Sequence, residues 1–92
     1  MLPLHTLLNI VCKATNCSTK LVKSESRRRK AVYARIIFLI LAREQGFRDY
    51  EIMWHIERDK SMATYYDKRI DSYKQSSFFN KSLLRAKNYA EI

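Results

Sequence analysis

Glycine and proline are almost absent from this sequence, which has one of each in 92 residues, Gly46 and Pro3. A sheet protein of this size needs many tight turns, and those turns favour glycine and proline. Their scarcity therefore argues against a β fold and for helices joined by short connections. We expect an all-α fold, a compact bundle of about six helices in one domain that spans residues 1–92.

Cysteine and histidine are also scarce, with two of each in the chain. Cys12 and Cys17 are too few for the disulfide framework of a small secreted domain, so we expect free thiols in a reducing compartment. His5 and His55 are far apart, and neither has metal-ligand spacing relative to the cysteines. We expect no metal site and no cofactor.

The patterns of membrane proteins and of common enzymes are missing too. The apolar run of residues 36–42 is far too short for a membrane span, and the first residues lack the basic region and cleavage site of a signal peptide. No G-x-x-x-x-G-K-[ST] phosphate loop occurs, and no spacing suggests a Ser/His/Asp or Cys/His arrangement. We expect a soluble cytoplasmic protein that is not an enzyme and has no small-molecule substrate. The initiating Met followed by a full set of helices favours a stand-alone product.

Basic residues are abundant, with eighteen Lys and Arg against nine Asp and Glu, for a net charge of +9. This balance favours a polyanionic partner such as nucleic acid or an anionic membrane surface. The charge is uneven, since residues 1–48 carry +8 and residues 49–75 carry −1. Any electrostatic attraction therefore comes mainly from the first half, in which residues 27–30 are four consecutive cations.

Local sequence patterns predict three helices in the first half. Apolar residues recur at three- and four-residue steps in a first helix that ends near Asn16, and Ser18 or Thr19 can cap a short second helix. Residues 27–45 suit a long third helix that is apolar on every side near its centre, as a helix wrapped by others would be. Gly46 follows as its expected stop, because glycine accepts the left-handed conformation.

A short helix and a last helix are expected at the two ends of the second half of the chain. Asp49 can cap a short helix that ends near residue 56 or 57 and faces Ile52, Met53 and Ile56 inward. Trp54 is expected in the core or at its rim. A last helix near residues 77–90 is expected to bury four apolar residues, Phe78, Phe79, Leu83 and Leu84.

Residues 49–73 have the pattern of a helix-turn-helix, with a short helix, a tight turn and a longer helix opened by Asp59. The longer helix has a buried seam at three- and four-residue steps, formed by Ala63, Tyr66, Ile70 and Tyr73. Its other side carries Lys60, Ser61, Thr64, Tyr65 and Lys68. A DNA-reading helix needs such a side, because its first residues enter the major groove. Many helical hairpins share this pattern, so the pattern alone leaves DNA reading open.

Lys60 is an unusual residue for the start of a helix. The N-terminus of a helix carries a partial positive charge, which disfavours a cation by about 0.3–1 kcal/mol at an exposed end. A phosphate or a base acceptor in front of the helix would reverse the local field. We interpret Lys60 as a DNA contact, and a simply solvated lysine is the alternative.

The residues around this turn resemble a known family. Arg58-Asp59-Lys60-Ser61 is similar to the Arg-Asp-His-Ser/Thr signature in the C-terminal, duplex-binding domain of the bacterial replication initiator DnaA. Five more short matches occur in that domain's order along nearly the whole chain, at Arg27-Arg28-Arg29-Lys30, Arg35, Leu41-Ala42-Arg43-Glu44, Glu51-Ile52 and Lys68-Arg69-Ile70. Each match is short, but their order and spacing together are fairly specific.

The resemblance implies a Trp-repressor-like helix-turn-helix that binds a short, asymmetric, A/T-rich duplex site as a monomer. In that family the helix after the signature enters the major groove, and the basic loop reaches the adjacent minor groove. By position, Arg27 then takes the place of the minor-groove arginine, and Arg35 approaches the DNA backbone. The implied DNA-binding residues are Arg27, Arg28, Arg29, Lys30, Arg35, Arg58, Asp59, Lys60, Ser61, Met62, Thr64, Tyr65 and Lys68. A nucleoid-associated role in the control of replication or transcription follows as the expected function.

The sequence also departs from the family's pattern. Lys60 replaces the signature's His, Met62 replaces its second Thr, Ile36 replaces a Gln, and Glu57 stands where glycines precede the signature. Lysine can bond guanine O6/N7 or a phosphate, whereas methionine offers only an apolar surface, for example to a thymine methyl group. We therefore expect a preferred DNA sequence different from that of the family.

Other functions stay open at this point. A protein-binding module with a DnaA-like fold, docked onto a replication or regulatory protein, is the main alternative, and the −1 charge of residues 49–75 favours it. The alternative for the basic residues 27–30 is that they form a solvated surface without a DNA contact. Tyr65 packs either on a phosphate or on a neighbouring side chain. Contact of the basic half with anionic lipid is a weaker hypothesis, and we expect no membrane partner.

Overall fold

The computed structural model describes residues 2–91, which form seven helices joined by short connections. In chain order they are α1 Leu4–Thr15, α2 Thr19–Lys23, α3 Arg29–Glu44, α4 Asp49–His55, α5 Ser61–Asp67, α6 Ile70–Tyr73 and α7 Ser77–Ala90. No strand occurs in this part of the chain. The expected all-α bundle is confirmed, with one helix more than expected.

Helix α3 lies at the centre of the core. Residues 36–39 are completely buried, and of residues 36–42 only Ile40 is partly exposed. Helices α1, α2, α4 and α7 all pack against α3, which is why its apolar residues can occupy every side. Even α3, the longest helix, has only 16 residues, and within residues 2–91 no helix is long and apolar enough to cross a membrane.

Helices α1 and α7 pack against each other and against α3. From α7, Phe79, Ser82 and Ala86 point inward at three- and four-residue steps. Phe78 and Leu84, both expected in the core, are instead 46% and 61% exposed. Phe78 directly precedes Phe79, and Leu84 lies two residues from both Ser82 and Ala86. Because each residue turns a helix by about 100°, neither Phe78 nor Leu84 lies on the inward side of α7.

Three helices end on a residue with positive φ. Asn16 after α1 has φ 58°, Gly46 after α3 has φ 93°, and Glu57 follows α4 with φ 60°. The expected stops at Asn16 and Gly46 are confirmed. At the start of α2, Ser18 Oγ accepts a hydrogen bond from Leu21 N–H at 3.0 Å, as the cap prediction required.

Helix α4 does not use the expected cap. Asp49 is its first helical residue, and Arg48 is the capping residue by position. The Arg48 N–H donates to Glu51 Oε1 at 3.0 Å, so a carboxylate three residues later satisfies the free backbone donor. The carboxylate of Asp49 is bonded to Arg43 of α3 instead. The inward positions Ile52, Met53 and Ile56 are confirmed as buried.

The single helix expected from Asp59 to Tyr73 is divided in two. The chain leaves the helical conformation near Arg69, which has φ −112° and ψ −7° and donates its N–H to Tyr66 O at 2.9 Å, three residues back. The predicted seam nevertheless stays on the inner side, since Ile70 and Tyr73 pack against the core beyond the break.

Candidate nucleic-acid interface

The loop between α2 and α3, residues 24–28, carries exposed cations on a shaped backbone. Ser24 Oγ accepts a hydrogen bond from Ser26 N–H at 3.1 Å, and Ser26 Oγ accepts one from Arg28 N–H at 3.2 Å. Serine side chains that bond to the backbone two residues later stabilise turns. Arg27 and Arg28 are therefore presented to solvent from a defined loop, which we call the α2–α3 loop.

Arg35, which was expected to approach the DNA backbone, lies inside the protein and is only 3% exposed. Its guanidinium donates to four backbone carbonyls at 2.7–3.2 Å, those of Leu21, Val22, Ser24 and Ser26. Burial lowers the pKa of Arg35, and the nearby charge of Arg58 lowers it further. The expectation of a backbone contact is corrected, because α3 faces this side chain toward the loop and its donors are used there.

Arg58, which lies in the turn between α4 and α5, also contacts the α2–α3 loop. Its Nη2 donates to the Ser24 carbonyl, and its Nη1 donates to the Lys23 carbonyl at 3.4 Å. The Ser24 carbonyl therefore accepts from both Arg58 and Arg35. This contact joins the α4–α5 turn to a loop 34 residues earlier in the chain.

The α4–α5 turn is closed by two backbone hydrogen bonds. Glu57 N–H donates to Trp54 O at 3.0 Å, and Arg58 N–H donates to Met53 O at 2.8 Å. These are the bonds of a Schellman motif, in which the left-handed residue is most often glycine. Glu57 is that residue here, at the position where the resembled family has glycine. The sequence departure at Glu57 thus falls on a position with a backbone requirement.

Helix α5 begins beside a carboxylate. Asp59 Oδ1 accepts a hydrogen bond from Ser61 N–H at 2.8 Å, and the hydrogen bonds to Ser61 hold the pKa of Asp59 below its usual value. The expected capping role of Asp59 is confirmed, although the helix itself starts at Ser61. Lys60 already has helical dihedral angles, φ −59° and ψ −26°, and its side chain is exposed.

The two sides of α5 are those that the sequence predicts. Ala63 and Tyr66 are buried, whereas the other side is exposed at Lys60, Ser61, Thr64, Tyr65 and Lys68. In the free protein Tyr65 packs on a neighbouring side chain, since the Arg69 guanidinium lies 3.7 Å from the centre of the Tyr65 ring. Cationic and polar groups therefore cover the outer side of this helix.

The α2–α3 loop and the start of α5 border a single groove of about 860 Å³. Arg27 lines it from the loop, and Asp59 and Met62 line it from the turn and α5. Arg35 and Arg58 also contribute to its lining. Of residues 27–30, only Arg27 lies in the groove lining, on the same side of the protein as the start of α5.

Not every predicted site residue belongs to this groove. Lys30 Nζ donates to the Asn16 carbonyl at 3.2 Å, so this side chain contacts the end of α1. Tyr65, by contrast, does line the groove. Six other predicted site residues are exposed but lie outside the groove lining: Arg28, Arg29, Lys60, Ser61, Thr64 and Lys68.

Sequence reasoning missed the acidic part of the groove. Glu25 and Glu57 line it together with Asp59, so three carboxylates face a lining that holds three arginines. No sequence signal identified Glu25, because the direction of a loop side chain depends on how the loop is held. Sequence reasoning also missed the exposure of Trp54, which is 65% exposed and packs its ring edge-on against Tyr50 at 5.2 Å.

A network centred on Arg43 fixes α5 relative to α3 and α4. The Arg43 guanidinium bonds Asp49 at 2.7 and 2.8 Å and Asp67 at 2.6 and 3.0 Å. These hydrogen bonds raise the pKa of Arg43, and the one from Arg43 lowers the pKa of Asp49. The start of α4 and the end of α5 are thus tied to the end of α3.

Within residues 2–91, no three His, Cys, Asp or Glu side chains form a group that could hold a metal ion. Cys12 and Cys17 are free thiols. Burial, with a smaller effect of Cys17, raises the pKa of the Cys12 thiol to about 11, so this thiol is protonated and weakly nucleophilic at neutral pH.

No protein-family model matches the chain, and comparison with curated proteins and with solved structures gives no match. The similarity to the DnaA domain therefore rests on the short sequence matches. The position of the α2–α3 loop and the start of α5 at one groove is the independent basis for a functional proposal.

Proposed function

We propose that this protein binds double-stranded DNA sequence-specifically, with α4 and α5 as a helix-turn-helix. The first residues of α5 enter the major groove, and the α2–α3 loop contacts the adjacent minor groove. One observation carries this proposal: the loop and the start of α5 border the same groove and are joined by the Arg58–Ser24 contact. Adjacent major and minor grooves of a duplex are reached by two such neighbouring elements.

The exposed residues have distinct roles in this proposal. Lys60 and Ser61, both exposed at the start of α5, contact base edges or phosphates. Met62, half-buried in the groove lining, offers an apolar surface to a thymine methyl group. Arg27 enters an A/T-rich minor groove, whose narrow width gives it a strongly negative potential. Arg28 and Lys68 add phosphate contacts.

The biological role that we propose is control of replication or transcription, in which the protein marks or blocks a site on the nucleoid. Binding of this kind requires neither a cofactor nor a catalytic step. The family resemblance supports a monomer on an asymmetric site, and the changes at Lys60 and Met62 support a site different from that of the family.

Selection of bound duplexes from a random pool tests this proposal. We expect enrichment of a short asymmetric site that contains an A/T-rich segment next to the bases contacted by α5. Enrichment of an inverted repeat would instead support a dimer. Failure to enrich any sequence, with no duplex retained even at low salt, would overturn the DNA-binding proposal.

A protein-binding role is the alternative, and two observations favour it. Trp54 and Tyr50 form an exposed aromatic pair on α4, and three carboxylates line the groove. The salt dependence of binding separates the two functions. A DNA binder with about four to six phosphate contacts loses affinity with a log–log slope of about −0.9 per contact. Loss of duplex binding together with retained binding of a protein partner would support the alternative.

A further inference from the structure

Two guanidinium groups meet at one backbone carbonyl beside the groove. Arg35 from α3 and Arg58 from the α4–α5 turn both donate to the Ser24 carbonyl, and each donates to at least one further carbonyl of residues 21–26. Within residues 2–91, neither arginine forms an ion pair with a carboxylate. Their partners are therefore neutral dipoles.

The Arg43 network gives a useful contrast within the same molecule. Arg43 also joins separate helices, but Asp49 and Asp67 neutralise its charge. Arg35 and Arg58 hold the α2–α3 loop while both keep their positive charge, although two neighbouring cations repel each other. Arg35 and Arg58 thus hold this loop through neutral carbonyls, whereas Arg43 joins helices through carboxylates.

We infer that Arg58 is a positioning residue, which holds the α2–α3 loop at a fixed place relative to α5 and so sets the spacing between Arg27 and Lys60. This inference rests on the proposed function in one respect only, because that spacing matters when Arg27 and Lys60 contact two grooves of one duplex. Arg35 holds the same loop from α3. Arg58 acts on DNA through the loop, whereas the sequence placed it among the direct DNA contacts.

The shape of the guanidinium explains why arginine is needed at this position. Arg58 uses Nη1 and Nη2 for two different carbonyls, those of Lys23 and Ser24. The planar fork of arginine makes both bonds with one fixed orientation, whereas a lysine ammonium is a point charge on a flexible stem. Arg58→Lys should therefore keep the charge and lose most of the positioning.

The first test measures amide hydrogen exchange of the free protein. The Ser26 and Arg28 amides report on the loop, since both donate to serine hydroxyls within it. We expect Arg58→Ala and Arg58→Lys to accelerate their exchange about tenfold, because charged hydrogen bonds that order the loop are lost. Unchanged exchange at both amides in Arg58→Ala would overturn the inference.

Two comparisons make this measurement specific. Arg85→Ala is the matched control, because Arg85 also joins distant segments by donating to a backbone carbonyl, that of Ala14 at 3.3 Å, which lies outside the loop. It should leave exchange of the Ser26 and Arg28 amides unchanged. Exchange in the middle of α3 should stay slow in all variants, which shows that they remain folded.

The second test is a double-mutant cycle on duplex binding with Arg27→Ala and Arg58→Ala. If Arg58 acts by placing Arg27, the double variant binds about as weakly as Arg58→Ala alone. Losses that multiply would show an independent contact of Arg58 and overturn the inference. If the unmodified protein binds no duplex, the proposed function fails, and the exchange measurement still decides whether Arg58 holds the loop.

Discussion

At the scale of single residues, Glu57 has a side chain that does not suit its backbone. With φ 60° it occupies the left-handed region, in which a Cβ atom is disfavoured and glycine is not. Asn16, which shares this conformation, is a residue type that tolerates it. Selection for stability alone would favour glycine at position 57.

Replacement of Glu57 by glycine should therefore stabilise the protein. We expect Glu57→Gly to raise the free energy of unfolding by about 0.5–1 kcal/mol, because the left-handed penalty disappears. Urea denaturation monitored by circular dichroism measures the change. Glu57→Ala removes the same carboxylate but keeps Cβ, so it should give no gain. An equal gain from alanine would mean that charge, and not backbone conformation, is responsible.

Lys60 and Arg27 should differ in what they contribute to duplex binding. Arg27→Ala should weaken binding to all duplexes and reduce the salt slope by about one contact, because the minor-groove potential attracts arginine without contacts to individual base edges. Lys60→Ala should mainly change which sequence is preferred, by about 1–3 kcal/mol between the best sites. Fluorescence anisotropy with a panel of duplexes at several salt concentrations measures both effects.

The control for these two variants is Lys87→Ala on α7. It removes the same single charge, but Lys87 Nζ lies 3.6 Å from Glu44, at the end of α3 opposite the loop. This variant should leave both affinity and preference nearly unchanged. If Lys87→Ala weakens binding as much as Arg27→Ala, net charge and not the position of the loop determines affinity.

At the scale of helices, the contact between α4 and α5 depends on Arg43. Its guanidinium bonds carboxylates at the start of α4 and near the end of α5, and these atoms are partly exposed. Solvent therefore weakens each ion pair, but the paired geometry of the hydrogen bonds makes the network more effective than a single surface pair. The orientation of the proposed recognition helix thus depends on residues far from its DNA-facing side.

This network should give the protein a dependence on acidic pH. The hydrogen bond from Arg43 lowers the pKa of Asp49 in the folded protein. The ionised Asp49 therefore contributes fully to the free energy of unfolding above the unfolded pKa, about 3.9, and this contribution is lost as pH falls through the folded pKa. Asp49→Asn should lower the free energy of unfolding by about 1 kcal/mol at pH 7 and flatten its decline below about pH 4. Urea denaturation at a series of pH values measures this.

Asp71→Asn is the control for the pH experiment, because Asp71 is an exposed aspartate on α6 outside the Arg43 network. It should reproduce neither the loss at pH 7 nor the flatter acid limb. If the free energy of unfolding of Asp49→Asn changes with pH just as that of the original protein does, the role of Arg43 is contradicted.

At the scale of the whole molecule, the position of α7 decides which apolar residues belong to the core. Phe78 and Phe79 are neighbours of identical chemistry, yet Phe79 is fully buried and Phe78 is half exposed. Phe79 packs edge-on against Tyr33 of α3 at 5.3 Å, in the aromatic cluster that also includes Tyr73 of α6. The Phe78 ring also lies 5.9 Å from Tyr33, but only Phe79 is enclosed by the core. The position of α7 thus buries one of two chemically equivalent side chains.

Alanine substitution should separate these two phenylalanines. Phe79→Ala should reduce the free energy of unfolding by about 3–5 kcal/mol, a large part of the roughly 5–15 kcal/mol that such domains have. Phe78→Ala removes the same atoms but should reduce the free energy of unfolding by about 1 kcal/mol or less, since Phe78 is already half exposed in the folded protein. Thermal or urea unfolding measures both, and equal losses would contradict the described position of α7.

Local sequence patterns determined most of the helices of this protein. The scarcity of glycine and proline, the serine cap at Ser18 and the glycine stop at Gly46 act within a few residues, so their structural effect can be predicted without the rest of the fold. The apolar centre of α3 was equally clear, because a helix that is apolar on every side must be enclosed. The predicted sides of α5 also follow from spacing alone.

Only the tertiary structure decided the features that depend on distant segments. Arg35 and Arg58 look like any other surface cations in the sequence, but the fold brings both to the Ser24 carbonyl. The carboxylates of the groove lining and the exposure of Phe78 were likewise invisible in local patterns. The physical reason is that hydrogen-bond partners and burial are set by which helices meet, whereas helix starts, stops and faces are set by neighbours along the chain.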